Sequence, residues 1–137
     1  MDLYAENILE HHRHPRHKSP IAHQTIEHAE NNPSCGDAIT VELRIEKGKI
    51  VAAGWSGSGC ALSQAGISML LEKITGMKVA DAEKLSPKDM RSLLGVPLTT
   101  RRLQCAFLPL MALHNALRKW KGEPTETWPE LLEEDSA

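Results

Sequence analysis

From Ile39 to Glu46 the chain alternates without a break, with Ile39, Val41, Leu43 and Ile45 set against Thr40, Glu42, Arg44 and Glu46. A side-chain period of two belongs to a strand with one buried and one wet face. The chain must therefore build a sheet and supply something to cover it. Lys47-Gly48 turns the chain, and Ile50 to Trp55 reads as the return strand of a hairpin that Gly57 and Gly59 end. Gln24 to Glu30 is a weaker strand candidate, followed by the turn cluster Asn31-Asn32-Pro33-Ser34.

Helical spacing supplies the cover. Leu3 to His12 reads as a short helix with Asp2 as N-cap, closed by Pro15 and Pro20. Ile67, Leu70, Leu71 and Ile74 stand at i, i+3, i+4 and i+7, with Gly76 as a C-terminal stop. Val79 to Leu94 predicts two short helices broken near Ser86-Pro87, with Ser86 capping the second. After Cys105 a long helix carries Leu110, Leu113, Leu117 and Trp120 on one face, and Pro109 fits if it falls in the first turn. Gly122 and Pro124 end that helix. The tail Thr125–Ala137, acidic at its end, is expected to form at most one or two helical turns.

The whole is expected to be a single domain over residues 1–137, with 121–137 a tail. At 41% apolar and 25% charged residues, a chain of 137 residues can bury its own core. The net charge of -2 argues against nucleic acid as the main partner. No apolar run approaches a membrane span, and the acidic start MDLYAENILEHH does not resemble a signal peptide, so the expected location is the cytoplasm.

An odd count of three cysteines cannot close a disulfide framework, and in a reduced compartment it leaves thiols for metal or chemistry. Their contexts favour that use over three small buried hydrophobes. Cys35 lies in Asn32-Pro33-Ser34-Cys35-Gly36-Asp37, where a glycine-centred turn can aim a thiolate and a carboxylate at one point. Cys60 follows Gly57-Ser58-Gly59 at the start of a helix, whose dipole favours thiolate. Cys105 opens the last helix. All three are expected in turns beside element ends, none on an apolar helical face.

Three thiolates and the Asp37 carboxylate suit a tetrahedral zinc site or the ligand set of an iron–sulfur cluster. With Zn²⁺ such a set keeps a net negative charge, which Arg102, three residues before Cys105, is placed to offset. The histidines His11, His12, His14 and His17 read as a solvated helix end and loop, and His114 as a satisfied helix residue. A cysteine hydrolase is disfavoured, because no motif aligns a histidine with a thiol.

These motifs resemble the iron–sulfur cluster assembly family of IscU, SufU and the NifU N-terminal domain. The marks are the NPSCGD loop at 32–37, the turn-helix Gly57-Ser58-Gly59-Cys60-Ala61-Leu62-Ser63, and Cys105-Ala106 before the last helix. The opening fits too, through Leu3-Tyr4, Ile8-Leu9, His11 and Pro15-Arg16. The resemblance spans about Leu3 to Trp120. It implies an α+β fold, a three-stranded antiparallel sheet with helices packed on it and Gln24–Glu30 as third strand. It also implies that Cys35, Asp37, Cys60 and Cys105 meet at one exposed end.

Two departures bear on the role. Gln104 stands where IscU-type proteins have a histidine. Val96-Pro97-Leu98-Thr99-Thr100-Arg101 lacks their LPPVK-type chaperone motif. Arg102 with Ala106 looks like SufU, yet the SufU insertion between the second and third cysteines is missing. The resemblance thus implies a zinc-dependent sulfurtransferase that takes persulfide sulfur from a SufS-like or IscS-like cysteine desulfurase, with Cys35 as acceptor and Arg102 assisting. The alternative is a scaffold, not an enzyme, that binds iron as a nascent [2Fe–2S] cluster and passes it to acceptor or assembly proteins. A structural zinc module with a partner-binding surface is the third reading.

Overall fold

The structure, a computed structural model, describes residues 3–34 and 36–136, with only the backbone of Leu3 and Tyr4. Cys35 and the N-cap expected at Asp2 lie outside the described residues. Three antiparallel strands, β1 (Ile26–Asn31), β2 (Ala38–Glu46) and β3 (Lys49–Ser58), form one sheet in the order β1-β2-β3. On β2 the alternation is realised: Ile39, Val41 and Leu43 are fully buried. Lys47 and Gly48 both have positive φ, 52° and 75°, as the mirror-image turn of a two-residue hairpin requires. A bulge between Arg44 and Ile45 shifts the register before Ile45 meets Ile50.

β1 is faint in the sequence because its one strong apolar residue is Ile26, paired with Leu43. Tertiary bonds hold it instead. Asn115 Nδ2 donates to Glu30 Oε2 at 2.9 Å, and Lys119 Nζ reaches the Glu27 carbonyl at 3.1 Å.

Two helices cover the inner face, α2 (Ala61–Ile74) and α5 (Leu103–Lys121). The stripe Ile67, Leu70, Leu71 and Ile74 is buried as its spacing requires, but α2 also buries Ser63, Gln64, Ala65 and Ser68. It is buried from Leu62 to Leu71, between α5 on one side and α1 (Leu3–Arg13) on the other, and only Glu72 and Lys73 near its end are exposed. Between α2 and α5 in the chain come α3 (Val79–Ala82) and α4 (Pro87–Leu94), the latter capped as expected: Ser86 Oγ accepts from Asp89 N–H while Asp89 Oδ2 accepts from Ser86 N–H.

Three expectations need correction. α5 begins at Leu103, so Pro109 is its seventh residue and sits beyond the first turn. The ring is accommodated because it faces Gly66 of α2, where an added Cβ would lie 3.2 Å from Pro109 Cγ. The tail also forms more helix than expected: α6 (Trp128–Ser136) is nine residues, about two and a half turns. Thr127 and Glu130 cap it reciprocally, Leu131 is fully buried, and Arg91 grips Asp135 with two hydrogen bonds of 2.8 Å. The Thr-x-x-Glu capping pattern was legible in the sequence and marks this start.

The histidine-rich segment is the third correction. His12 and His14 are exposed, but His11 is buried at 6% exposure, with Nδ1 2.8 Å from Ser68 Oγ. Ser68 Oγ also accepts from Arg16 N–H at 2.7 Å, so one hydroxyl of α2 ties both the end of α1 and the turn after it. His17 lies along the open edge of β3, its Nδ1 on the Ala53 carbonyl and its own carbonyl accepting from Trp55 N–H.

Burial, then the Arg16 charge, lowers the His11 pKa from its ordinary value, against the opposing pull of Glu72 and Glu10. A base with a depressed folded pKa stabilises the fold fully above its unfolded value of about 6.5, and that contribution fades as pH falls through the folded value. Hydrogen exchange of the α1 amides should therefore quicken between pH 7.5 and 5.5, and His11→Gln should flatten the dependence. An α1 whose exchange, corrected for intrinsic rates, ignores pH would refute this.

Candidate metal and sulfur site

The site forms where β3 passes into α2 and the loop before β2 comes alongside. Cys60 is the N-cap of α2, in extended conformation, with the N-terminal amides of the helix behind it. Its backbone N–H donates to Asp37 Oδ1 at 3.3 Å, and its Sγ lies 3.7 Å from Asp37 Oδ2 and 3.9 Å from Ser63 Oγ. Asp37 is only 4% exposed. Its loop is closed by the Asn32 N–H donating to the Asp37 carbonyl and the Gly36 N–H donating to the Asn32 carbonyl, both at 2.8 Å.

Cys105 comes from the opposite side. It is the third residue of α5 and borders the hydrophobic core, with 6% exposure. This differs from the expectation that every cysteine sits in a turn, because α5 starts two residues earlier than its apolar spacing suggests. Even so, one oxygen of Asp37 and the sulfurs of Cys60 and Cys105 lie within 4.8 Å of one another. Burial, together with the neighbouring Asp37 carboxylate and Cys60 thiol, pushes the Cys105 thiol well above the ordinary thiol range. A buried carboxylate beside two thiols is a poor arrangement for a metal-free protein and a good one around a cation.

A cavity of about 580 Å³ opens over these groups, lined by Asp37, Cys60, Cys105, Thr99, Arg101 and Arg102. The two arginines belong to a short 3₁₀ turn, Thr100–Arg102, that leads into α5, and both are exposed. Arg102 thus stands at the mouth of the site, and Arg101, which spacing did not single out, stands beside it. The donor set fits zinc or iron: soft sulfurs with one oxygen, and too few oxygens for magnesium or calcium.

Two further residues at the site were missed. Asn32 Nδ2 reaches Cys105 Sγ at 3.5 Å, and Ser34 Oγ donates to Gln104 Oε1 at 3.0 Å, so the 32–34 turn is tied to α5 at two points. In the sequence Asn32 reads as turn chemistry and Gln104 as the place of an absent histidine, and no spacing signals either contact.

Among the described residues one other group brings metal-ligating atoms together, His114, Glu126 and Glu134. His114 is fully satisfied there, between the Leu85 carbonyl at 2.7 Å and Glu126 Oε1 at 3.0 Å, as a structural helix residue should be. Arg118 adds a longer contact to Glu126, at 3.9 Å. The four histidines of the N-terminal region do not converge with one another in this way. No helix among the described residues is long and apolar enough to cross a membrane.

Sheet order, helix cover and a cysteine–aspartate site at the sheet end define an α+β protein with a candidate metal and sulfur centre. The family described as the NifU-like N terminal domain matches residues 3–127, and the chain belongs to that family. It is 28% identical to the zinc-dependent sulfurtransferase SufU of Bacillus subtilis, covering 88% of this chain and 92% of that one. It is 30% identical to the iron–sulfur cluster assembly scaffold protein IscU of Thermotoga maritima, covering 85% of this chain and 94% of that one. A crystal structure titled as a putative iron–sulfur cluster assembly scaffold protein for the SUF system, from Fervidobacterium islandicum, superposes with a TM-score of 0.72 at 25% identity. That match covers 82% of this chain and 94% of the other.

Proposed function

We propose that this protein serves iron–sulfur cluster assembly by receiving sulfur, as persulfide, from a cysteine desulfurase at a site made of Cys35, Asp37, Cys60 and Cys105. The observation that carries this reading is the meeting of Asp37, Cys60 and Cys105 in one open cavity under Arg101 and Arg102. Cys35 stands two residues before Asp37 in the sequence. In the transfer, the Cys35 thiolate attacks the outer sulfur of the desulfurase persulfide. The sulfur–sulfur bond breaks, the desulfurase cysteine leaves as thiolate, and the persulfide stands on Cys35 with no net oxidation.

A zinc ion bound by these residues would keep the site's sulfurs deprotonated and fix the carboxylate. Gly36, at φ 78°, gives the loop a backbone that swings at low cost. Arg101 and Arg102 offset the negative charge that builds when two partners' thiolates share one cavity. Gln104 supports sulfur transfer over scaffolding, because its side chain is occupied by Ser34 and offers no imidazole to a cluster.

The decisive experiment loads the protein with zinc and adds a cysteine desulfurase, cysteine and a reductant without iron. Alanine production should rise several-fold, and Cys35→Ala should abolish the rise. If Cys35→Ala supports the same turnover, the acceptor role is wrong. The second reading, a scaffold for a nascent [2Fe–2S] cluster, is favoured by Asp37, since one buried oxygen ligand among sulfurs makes a cargo easy to release. Anaerobic reconstitution with iron and sulfide would then develop cluster absorption, and no such absorption would remove that reading.

A further inference from the structure

Asn32 uses every polar group it has. Its main chain closes the 32–37 loop through Asp37 and Gly36. Its side chain is buried, at 1% exposure, and its Oδ1 accepts from Ser34 N–H at 3.0 Å. That bond settles which end of the amide is which: a backbone N–H demands an oxygen, so the NH₂ must face the other way. There it meets Cys105 Sγ, 3.5 Å away, across 73 residues of sequence.

An NH₂ group has no lone pair to accept from a thiol. It can only donate, and it is matched by a sulfur rich in electrons. The other neighbours of this sulfur work in the opposite sense, since Asp37 and Cys60 bring negative charge to a buried position.

We propose that Asn32 is a positioning residue of the sulfur-handling site: its side-chain amide donates an N–H···S hydrogen bond that stabilises negative charge on the Cys105 sulfur and ties the 32–34 turn to α5. The inference rests on reading the site as a thiolate metal centre. Outer-shell donors of this kind orient the ligand and tune it, and their loss lowers metal affinity by about 10–100-fold. Asn32 serves two ends at once. Oδ1 shapes the 32–34 turn, and Nδ2 fastens that turn to the helix bearing Cys105.

The test uses the full chain, anaerobic and reduced, with Co(II) alone as probe. Two substitutions keep the size of the side chain and remove the donor. Asn32→Asp keeps an oxygen for Ser34 N–H, and Asn32→Leu adds no charge. The parent should show an intense sulfur-to-cobalt charge-transfer band. In both variants the band should move to lower energy, because a sulfur that loses its hydrogen bond holds its electrons less tightly. Zn(II) affinity of Asn32→Leu should fall about ten-fold or more.

An unshifted band in Asn32→Asp, with folding confirmed by thermal unfolding, would show that the residue only shapes the turn, and would overturn the proposal while leaving the site intact. A parent protein with no sulfur-to-cobalt band would overturn the thiolate metal site itself and this role with it.

Discussion

Gly59→Ala should weaken zinc binding by about 10–100-fold, the range seen when the support of a metal ligand is lost, and should leave a folded protein. A Cβ at this position would lie 2.6 Å from Asp37 Oδ1, 2.8 Å from its Cγ and 2.9 Å from its Cβ. Real side chains do not approach so closely, so the carboxylate must leave. Asp37 is 4% exposed and is bonded to Cys60 N–H, so it leaves the site rather than shifting within it. The backbone adds to the effect, because φ at Gly59 is 151°, which side chains rarely adopt. Gly36→Ala is the control. It carries a positive φ of 78° but an added Cβ meets nothing within 4 Å, so it should cost about 1–2 kcal/mol of local strain without blocking the ligand. Competition against a chromophoric zinc chelator measures both. Equal zinc affinity in Gly59→Ala and the parent would mean that Asp37 holds no metal.

Trp55→Ala should cost about 3–5 kcal/mol of stability, the range for deleting a buried large aromatic side chain, enough to unfold most of a marginally stable domain. Trp55 is 1% exposed on β3, directly opposite Val41, and belongs to the core. It also fastens the segment after α1. Its Nε1–H donates to the Arg16 carbonyl at 2.8 Å, its backbone N–H donates to the His17 carbonyl, and Lys18 Nζ stands 5.0 Å from the ring centre. Trp55→Phe keeps most of the apolar area and loses one hydrogen bond, so about 1–2 kcal/mol is expected. Urea unfolding measures both variants. A loss below about 1 kcal/mol in Trp55→Ala would place this residue outside the cooperative core.

Much of the protein was legible because local rules and tertiary demands agree. The β2 alternation, the two-residue turn at Lys47-Gly48 and the Ser86 cap are each settled by a few neighbouring residues, and the fold uses them as they stand. What was misread depends on distant partners. α5 starts earlier than its stripe shows, and Pro109 is tolerated beyond the first turn because Gly66 of another helix leaves room for its ring. His11 looks like one of several solvated histidines until α2 brings Ser68 against it. The tail forms a full helix because Arg91 and a core pocket for Leu131 await it.

The site divides in the same way. The sequence alone determined which groups are available, namely three thiols, one carboxylate two residues from the first, and an arginine before the third. Glycines also mark where the backbone must bend, since φ preferences are local. Only the tertiary structure decided that Asp37, Cys60 and Cys105 share a space under 5 Å across, that Asn32 donates to a sulfur on a distant helix, and that Ser34 occupies Gln104. Those contacts depend on where the sheet end meets α2 and α5, and packing sets that position because burial and hydrogen-bond geometry act between residues far apart in sequence.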